Sequence, residues 1–342
     1  MREILKKLLS GTDLTAEEAA GAASELMDGT TGEAETASFL TALRLKGETA
    51  EEIASIASVM RERCIAVPSP EGTMDVCGTG GAGVKTFNVS TVSAIVVAAA
   101  GVPVAKHGNR SFTSRSGSAD LLESLGVNLS IPPERASAML GTTGITFLFA
   151  PLYHPAMKNV AGVRRALGFR TVFNLLGPIS NPAGVRRQLI GVFSEEFVER
   201  VAGALLRLGT ERAVVVHGSI GMDEISPAGR TVVEEVKNGT SERYTIDGSD
   251  FSRFGTGEWT EQKVEHPAES ASYALRVLGN RAAAGERSIV LLNAGAALYA
   301  AGKCGSIEQG MEKALDAIET GKAKSKLRDF ASMSGGRLRE DV

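Results

Sequence analysis

The sequence predicts an α/β protein in two parts: a small helical domain, then a larger α/β domain with a mainly parallel central sheet. Three observations carry this. Residues 1–65 hold helical periodicity and helix-start signals only. Beyond Pro70, short apolar strands alternate with helices, the pattern of βαβ layers. The 342 residues also exceed the ~250–300 at which a single apolar core tends to split.

In the first part, Thr15 and Glu18, Thr30 and Glu33, and Thr49 and Glu52 all have capping-box spacing. Phe39, Leu40, Leu43 and Leu45 give one apolar stripe; Ile53, Ile56, Ala57 and Met60 give another. Pro68 and Pro70 punctuate the chain as a linker would. Then 74–77 reads as strand, 90–100 as helix, 102–105 as strand, 118–124 as helix and 145–149 as strand. Residues 170–182, with Gly177-Pro178 and Asn181-Pro182, read as loop. Strands at 188–193 and 212–217 flank a helix at 195–208, and helices at 268–278, 288–301 and 306–318 follow.

Composition narrows the function classes. Lys and Arg number 37 against 40 Asp and Glu, a net charge of −3, without the basic stripe that a nucleic-acid backbone requires. No membrane span is expected, because the longest apolar run, 89–104, is short and broken by Ser, Thr, Gly and Pro. Cys64, Cys77 and Cys304 are odd in number and far apart, which favours neither a disulfide framework nor a zinc site. The N-terminal Met1–Lys7 mixes charge signs and leads into no signal-type segment, and the cysteine usage makes a reducing cytoplasm the expected compartment.

Four stretches carry chemistry. The first, Cys77-Gly78-Thr79-Gly80-Gly81-Ala82-Gly83, follows a strand and precedes Thr86, Asn88, Ser90 and Thr91 at a helix start. Glycines there permit positive φ and a nest of backbone N–H groups, and the helix start adds free donors, so a phosphate or pyrophosphate fits. A turn with an ordinary N-cap explains the same residues. The pattern matches neither the P-loop spacing nor the dinucleotide spacing. The second stretch, Lys106-His107-Gly108-Asn109-Arg110, stands at a strand end, where open α/β sheets bind ligands. Ser114, Ser116, Gly117 and Ser118 after it make a second possible anion-binding helix start; a solvated basic loop is the plain alternative. The third is Asp223-Glu224, adjacent carboxylates that suit Mg²⁺ sharing a site with substrate phosphates. The fourth is His154-Pro155-Ala156-Met157 with Arg164, whose guanidinium suits a carboxylate, or simply lies on an amphipathic helix.

In chain order, these stretches together with Asn88-Val89-Ser90-Thr91, Ser116-Gly117-Ser118-Ala119-Asp120, Phe147-Leu148-Phe149-Ala150-Pro151 and Phe173-Asn174-Leu175-Leu176-Gly177-Pro178 closely resemble the anthranilate phosphoribosyltransferases. The resemblance spans nearly the whole chain. It implies the two-domain architecture of nucleoside phosphorylases and such transferases. Residues 1–70 and a return segment at 168–187 would form the helical domain; 71–167 and 188–342 would form the phosphoribosyl-diphosphate-binding domain. It further implies a homodimer joined through the helical domains.

The implied reaction moves phosphoribose from phosphoribosyl pyrophosphate to the amine of anthranilate, releasing pyrophosphate, in tryptophan biosynthesis. By the same resemblance, Gly78, Gly81, Thr86, Asn88, Ser90, Thr91, Lys106 and Ser118 would bind phosphoribosyl pyrophosphate. Gly78, Asn109, His154, Arg164 and Gly177 would serve anthranilate, and Ser90, Asp223 and Glu224 would hold Mg²⁺. No base or nucleophile is assigned, since the aromatic amine is already neutral. The sequence departs from the family at Ala82, where the glycine loop usually carries Asp; the metal would then lean on Asp223, Glu224 and the diphosphate. Two other readings are a nucleoside phosphorylase of similar fold and a non-catalytic nucleic-acid-binding relative. The Lys106–Arg110 motif opposes the first, and the net charge with Asn109 and Arg164 opposes the second.

Overall fold

The computed structural model describes residues 1–81, 83–84, 86–110, 116–262 and 264–340. Four helices come first: α1 (Arg2–Leu9), α2 (Ala16–Asp28), α3 (Glu33–Lys46) and α4 (Ala50–Glu62). Then follow β1 (Met74–Gly78), α5 (Val89–Ala99), β2 (Val104–Gly108), α6 (Ser118–Ser124), α7 (Pro133–Thr142) and β3 (Ile145–Phe149). Next are α8 (Ala150–Tyr153), α9 (Lys158–Leu167), α10 (Phe173–Ile179), β4 (Arg187–Gly191), α11 (Glu196–Arg207) and β5 (Arg212–Gly218). The rest is β6 (Arg230–Lys237), β7 (Thr240–Asp247), α12 (Pro267–Leu278), α13 (Ala284–Ala300), α14 (Ile307–Glu319) and α15 (Lys322–Ser334).

The strands form one sheet in the order β3-β2-β1-β4-β5-β6-β7. The first five run parallel, and β6 and β7 add antiparallel to that edge. The two-residue side-chain period of a strand divides the core in two. Val76, Leu189, Val214 and Val216 face a layer that includes α5, α12, α13, α14 and α15. Cys77, Ile190, Ala213 and Val215 face α11 and share one apolar cluster with α1–α4, α9 and α10. The helical elements are therefore packed continuously onto the second face of the sheet. On the first face, α13 and α14 cross closely: a Cβ on Gly310 would stand 2.2 Å from Gly295 O.

The capping boxes of Thr15 and Thr49 form as the spacing predicts. Thr30 and Glu33 form none. Gly32 is the N-cap of α3, which makes Glu33 its first residue, while Thr30 Oγ1 donates to Glu25 O at 3.0 Å and closes α2. Leu45 leaves the stripe assigned to it and stands 80% exposed. It lies two residues beyond Leu43, about 200° around a helix. The strand expected at 102–105 begins at Val104, after Pro103, and pairs with β3 through Gly108. Lys106 and His107 are consequently strand residues, buried to 3% and 5% exposure.

Within the stretch expected to be loop, α10 forms with Pro178 in its last turn, where only one intrahelical donor is lost. Thr171 N–H closes its start on Asn174 Oδ1 at 3.0 Å. The β6–β7 hairpin was not expected. Its Asn238-Gly239 turn, with φ of 53° and 78°, has the left-handed pair that a two-residue hairpin requires.

One carboxylate ties the N-terminal helices together. Glu52 is fully buried, accepts the Leu14 and Thr49 N–H groups at 2.9 and 2.8 Å, and pairs with Lys46 Nζ at 2.9 Å. We expect Glu52→Ala to cost about 3–5 kcal/mol, because it leaves buried donors and a cation unmatched. The half-buried box partner Glu18 should matter less on truncation. Urea unfolding of both variants checks this ordering; equal losses would contradict it.

Candidate active site

The glycine loop begins where β1 ends. Its register partner across the sheet is β4, Gly78 opposite Gly191, so the loop starts at the C-terminal ends of two parallel strands. Gly80 and Gly81 take φ of 70° and 77°, open to glycine without strain. Thr79 N–H donates to Gly191 O at 2.9 Å, and Thr79 Oγ1 accepts from Phe193 N–H at 3.0 Å. On its far side, Gly83 N–H donates to Gly221 O at 2.8 Å. Gly80 N–H donates to Asp223 Oδ2 at 2.8 Å. Two glycines leave room for Asp223: a Cβ on Gly78 would stand 2.5 Å from its carboxylate Oδ2, and one on Gly191 would stand 1.5 Å from its backbone O.

Asp223 and Glu224 are half-buried neighbours. Burial holds Asp223 above the usual carboxylate range, opposed by the Gly80 N–H bond and by the positive fields of His217 and Arg170. Burial and then repulsion from Asp223 push Glu224 well up, opposed by Thr86. Thr86 Oγ1 donates to Glu224 Oε1 at 3.3 Å, while Glu224 Oε2 is buried with no hydrogen-bond partner among the described residues. Two crowded carboxylates with one unmatched oxygen fit a divalent cation that takes its other ligands from phosphates and water. Ser90 lies half-buried in the first turn of α5.

Asn88 is the N-cap residue of α5, yet its side chain does not cap. Its Nδ2 donates to Ser116 O at 3.1 Å, and its Oδ1 accepts from Ser116 Oγ and Ser270 Oγ at 3.1 and 2.8 Å. Asn88 thus braces the loop before α6, and the first-turn N–H groups of α5 are left without a side-chain cap. Thr91 is buried, with Oγ1 unpartnered among the described residues. The start of α6 is differently placed: Gly117 N–H is already bonded to Asp120 Oδ2 at 2.9 Å, and Ser118 Oγ donates to Asn109 O at 3.2 Å. Arg110 is tied to Asp120 and Glu123 at 2.7 and 2.8 Å. Ala82 and Ser114 lie outside the described residues.

Beside this cluster, Lys106 and His107 meet the segment around α10. The positive charge of Lys106 acts on Asp75, fully buried in β1, whose carboxyl burial nonetheless pushes up. Asp75 accepts His107 N–H at 3.3 Å and Asn181 Nδ2 at 2.8 Å. His107 Nδ1 bonds Gly177 O at 2.9 Å, and its ring lies 5.0 Å from that of His154. Asn109 is exposed, with Oδ1 accepting Arg110 N–H at 2.7 Å. Half-buried Arg164 stands over the Phe173 ring at 5.3 Å. Among the described residues it has no ion pair and no hydrogen bond to Asn109 or His154. Thus Gly78, Gly81, Thr86, Asp223 and Glu224 form one group, Lys106, His154 and Gly177 gather around His107, and Arg164 stands apart.

Sequence reasoning missed Asp75, Asn181 and Arg170. A carboxylate inside the apolar strand of Asp75 was a readable signal. Asn181 and Arg170 lie in the stretch taken for loop, where no pattern singled them out.

Fold and site define a two-part glycosyl transferase. Residues 2–64 match the helical bundle domain of the glycosyl transferase family, and residues 70–324 match its a/b domain. The anthranilate phosphoribosyltransferase of Pelotomaculum thermopropionicum is 47% identical over 98% of this chain and 97% of its own. That of Rubrobacter xylanophilus is 47% identical over 98% and 97%. The chain belongs to the anthranilate phosphoribosyltransferase family. The crystal structure of the Thermus thermophilus enzyme superposes with a TM-score of 0.89 at 41% identity, covering 97% of this chain and 99% of that one. The Saccharomyces cerevisiae enzyme in complex with PRPP and Mg superposes with a TM-score of 0.86 at 28% identity, covering 98% and 97%.

The buried imidazoles give a pH signature. Burial pushes His107 down to about 3 and His154 down to about 4, with His154 further disfavouring a charge on His107. Below pH 6.5 the unfolded imidazoles take protons that the folded ones refuse, so each histidine lowers stability as pH falls toward its folded value. Between pH 7 and 5 the loss is about 2 kcal/mol per histidine. Proton NMR should find both Hε1 shifts constant from pH 8 to 5; titration of either near 6.5 would contradict its burial as neutral.

Proposed function

We propose that this chain transfers phosphoribose from phosphoribosyl pyrophosphate to the amine of anthranilate, releasing pyrophosphate. The observation that carries the reading is the glycine loop held by Asp223 beside Glu224, an anion nest next to a cation site. The amine attacks C1 of the ribose as the C1–O bond to pyrophosphate breaks, positive charge develops on the ribose, and the nitrogen then releases one proton to the departing pyrophosphate or to water. The chain's part is positioning and electrostatics. Backbone N–H groups around Gly78 and Gly81 and at the start of α5 take diphosphate oxygens, with Thr86, Asn88, Ser90, Thr91, Lys106 and Ser118 arranged around them. Ser90, Asp223 and Glu224 would hold Mg²⁺, which when bound neutralises charge on the departing pyrophosphate. Arg164 receives the anthranilate carboxylate, with Gly78, Asn109, His154 and Gly177 lining its place. Neutral histidines suit an aromatic guest whose amine needs no base.

Anthranilate fluorescence tests this directly. It should fall on addition of phosphoribosyl pyrophosphate with Mg²⁺, and stay constant in excess chelator; no consumption under any metal condition would overturn the reading. In the same assay Arg164→Ala should raise KM for anthranilate about 10- to 150-fold, the worth of a charge-assisted bond, with little change for phosphoribosyl pyrophosphate. Equal effects on both would remove Arg164 from the anthranilate site.

The helical unit would comprise residues 1–70 and the return segment 168–187, with 71–167 and 188–342 as the phosphoribosyl-diphosphate-binding unit. The packing of α10 on α4 supports this. Homodimerisation through the helical units in the cytoplasm completes the proposal. Leu9 and Leu45, 77% and 80% exposed on contacting helices α1 and α3, offer the apolar area for it. Light scattering should give twice the chain mass for the wild type and a lighter species for Leu45→Glu. A monomeric wild type would refute the dimer.

A further inference from the structure

One cation beside the glycine loop has no role in the reading above. Arg170 lies between α9 and α10, on the side of the helical elements. Its guanidinium lies close to two groups. On one side its Cζ stands 4.3 Å from the centroid of the Phe193 ring. On the other it lies against Gly81, where an added Cβ would be 2.7 Å from Nη2 and 3.1 Å from both Cζ and Nε. Nη2 donates to Gly81 O. Gly81 is in the loop and Phe193, just after β4, is tied to it: Phe193 N–H is bonded to Thr79 Oγ1 at 3.0 Å, next to the glycines.

Among the described residues no carboxylate forms an ion pair with this half-buried guanidinium. Two other arginines are committed. Arg110 is bound to two carboxylates, and Arg61 donates to Ile179 O at 2.8 Å. None of the Arg170 nitrogens is both buried and unpartnered, so the donors not spent on Gly81 face accessible space. A planar fork with free donors, fixed by stacking beside a backbone anion nest, suits two oxygens of a phosphate. Arg164, over a different ring, is left for the carboxylate.

We propose that Arg170 is a pyrophosphate-binding residue, which carries a guanidinium from the α9–α10 segment to the diphosphate held by the glycine loop. It rests on the transferase reading. On binding, the side chain exchanges part of its contact with Gly81 O for phosphate oxygens. The diphosphate site is then built from both sides.

The test uses magnesium pyrophosphate as ligand and the full chain. By calorimetry, Arg170→Gln should weaken its binding about 10- to 150-fold, the range of a lost charge-assisted contact, and Arg170→Lys should recover most of the loss. A residue that only braces Gly81 would show Gln and Lys variants alike, and that result overturns the proposal. Wild-type protein gives a control independent of folding. Phenylglyoxal labelling of Arg170, read by mass spectrometry, should be suppressed by magnesium pyrophosphate and not by anthranilate; unchanged labelling also overturns it. Wild-type turnover of anthranilate, measured alongside, separates the two claims. Turnover with indifferent Arg170 variants sinks the inference alone, and absent turnover sinks the transferase reading.

Discussion

The grip of Asp223 on the glycine loop organises the site. A half-buried carboxylate accepts the Gly80 N–H, and the loop's positive-φ residues follow directly from that point. The grip depends on absence as much as on contact. Gly78 and Gly191, facing each other across β1 and β4, lack the Cβ atoms that would otherwise occupy the space of Asp223. Burial raises the cost of ionising Asp223 and Glu224 together, and a bound cation would relieve it. The same residues that shape the anion nest therefore create the demand for a cation beside it.

The sheet explains how helical elements reach this place. Its central parallel strands place apolar residues on both faces, so one face receives α5 and α13 while the other receives α11 and the N-terminal helices. After α10, Asn181 bonds both Asp75 in β1 and Ala105 O in β2. This buried polar bridge fixes the α10 segment over the strand ends and sets Gly177 O against His107. Because the bridge is enclosed, losing one partner would strand the others.

Much of this was legible in the sequence because the loop and the carboxylates use local signals. Clustered glycines, a helix start and an acidic pair are readable without knowing which residues meet. The element alternation was equally open, though the edges slid: β2 began two residues later than its apolar pattern suggested, since its register is set by pairing with β3. What stayed hidden depends on distance in the chain. Arg170 and Gly81 are 89 residues apart, and Asn181 and Asp75 are 106 apart. Asn88 was readable as a residue at a helix start, but the bonds of its side chain to Ser116 and Ser270 were not. Leu45 shows the converse error, an apolar residue assigned to the core by composition where helical geometry turns it outward.

The most direct measurement is phosphoribosyl pyrophosphate binding, by calorimetry in Mg²⁺, to a Gly78→Ala protein. The φ of Gly78 is not in the left-handed range, so the backbone accepts alanine, and the methyl group meets only the Asp223 carboxylate at short range. If the grip of Asp223 shapes the site, the variant folds with a melting temperature near that of the wild type and binds at least about tenfold more weakly, the loss of one charge-assisted bond. A folded Gly78→Ala protein that binds phosphoribosyl pyrophosphate as tightly as the wild type would contradict it.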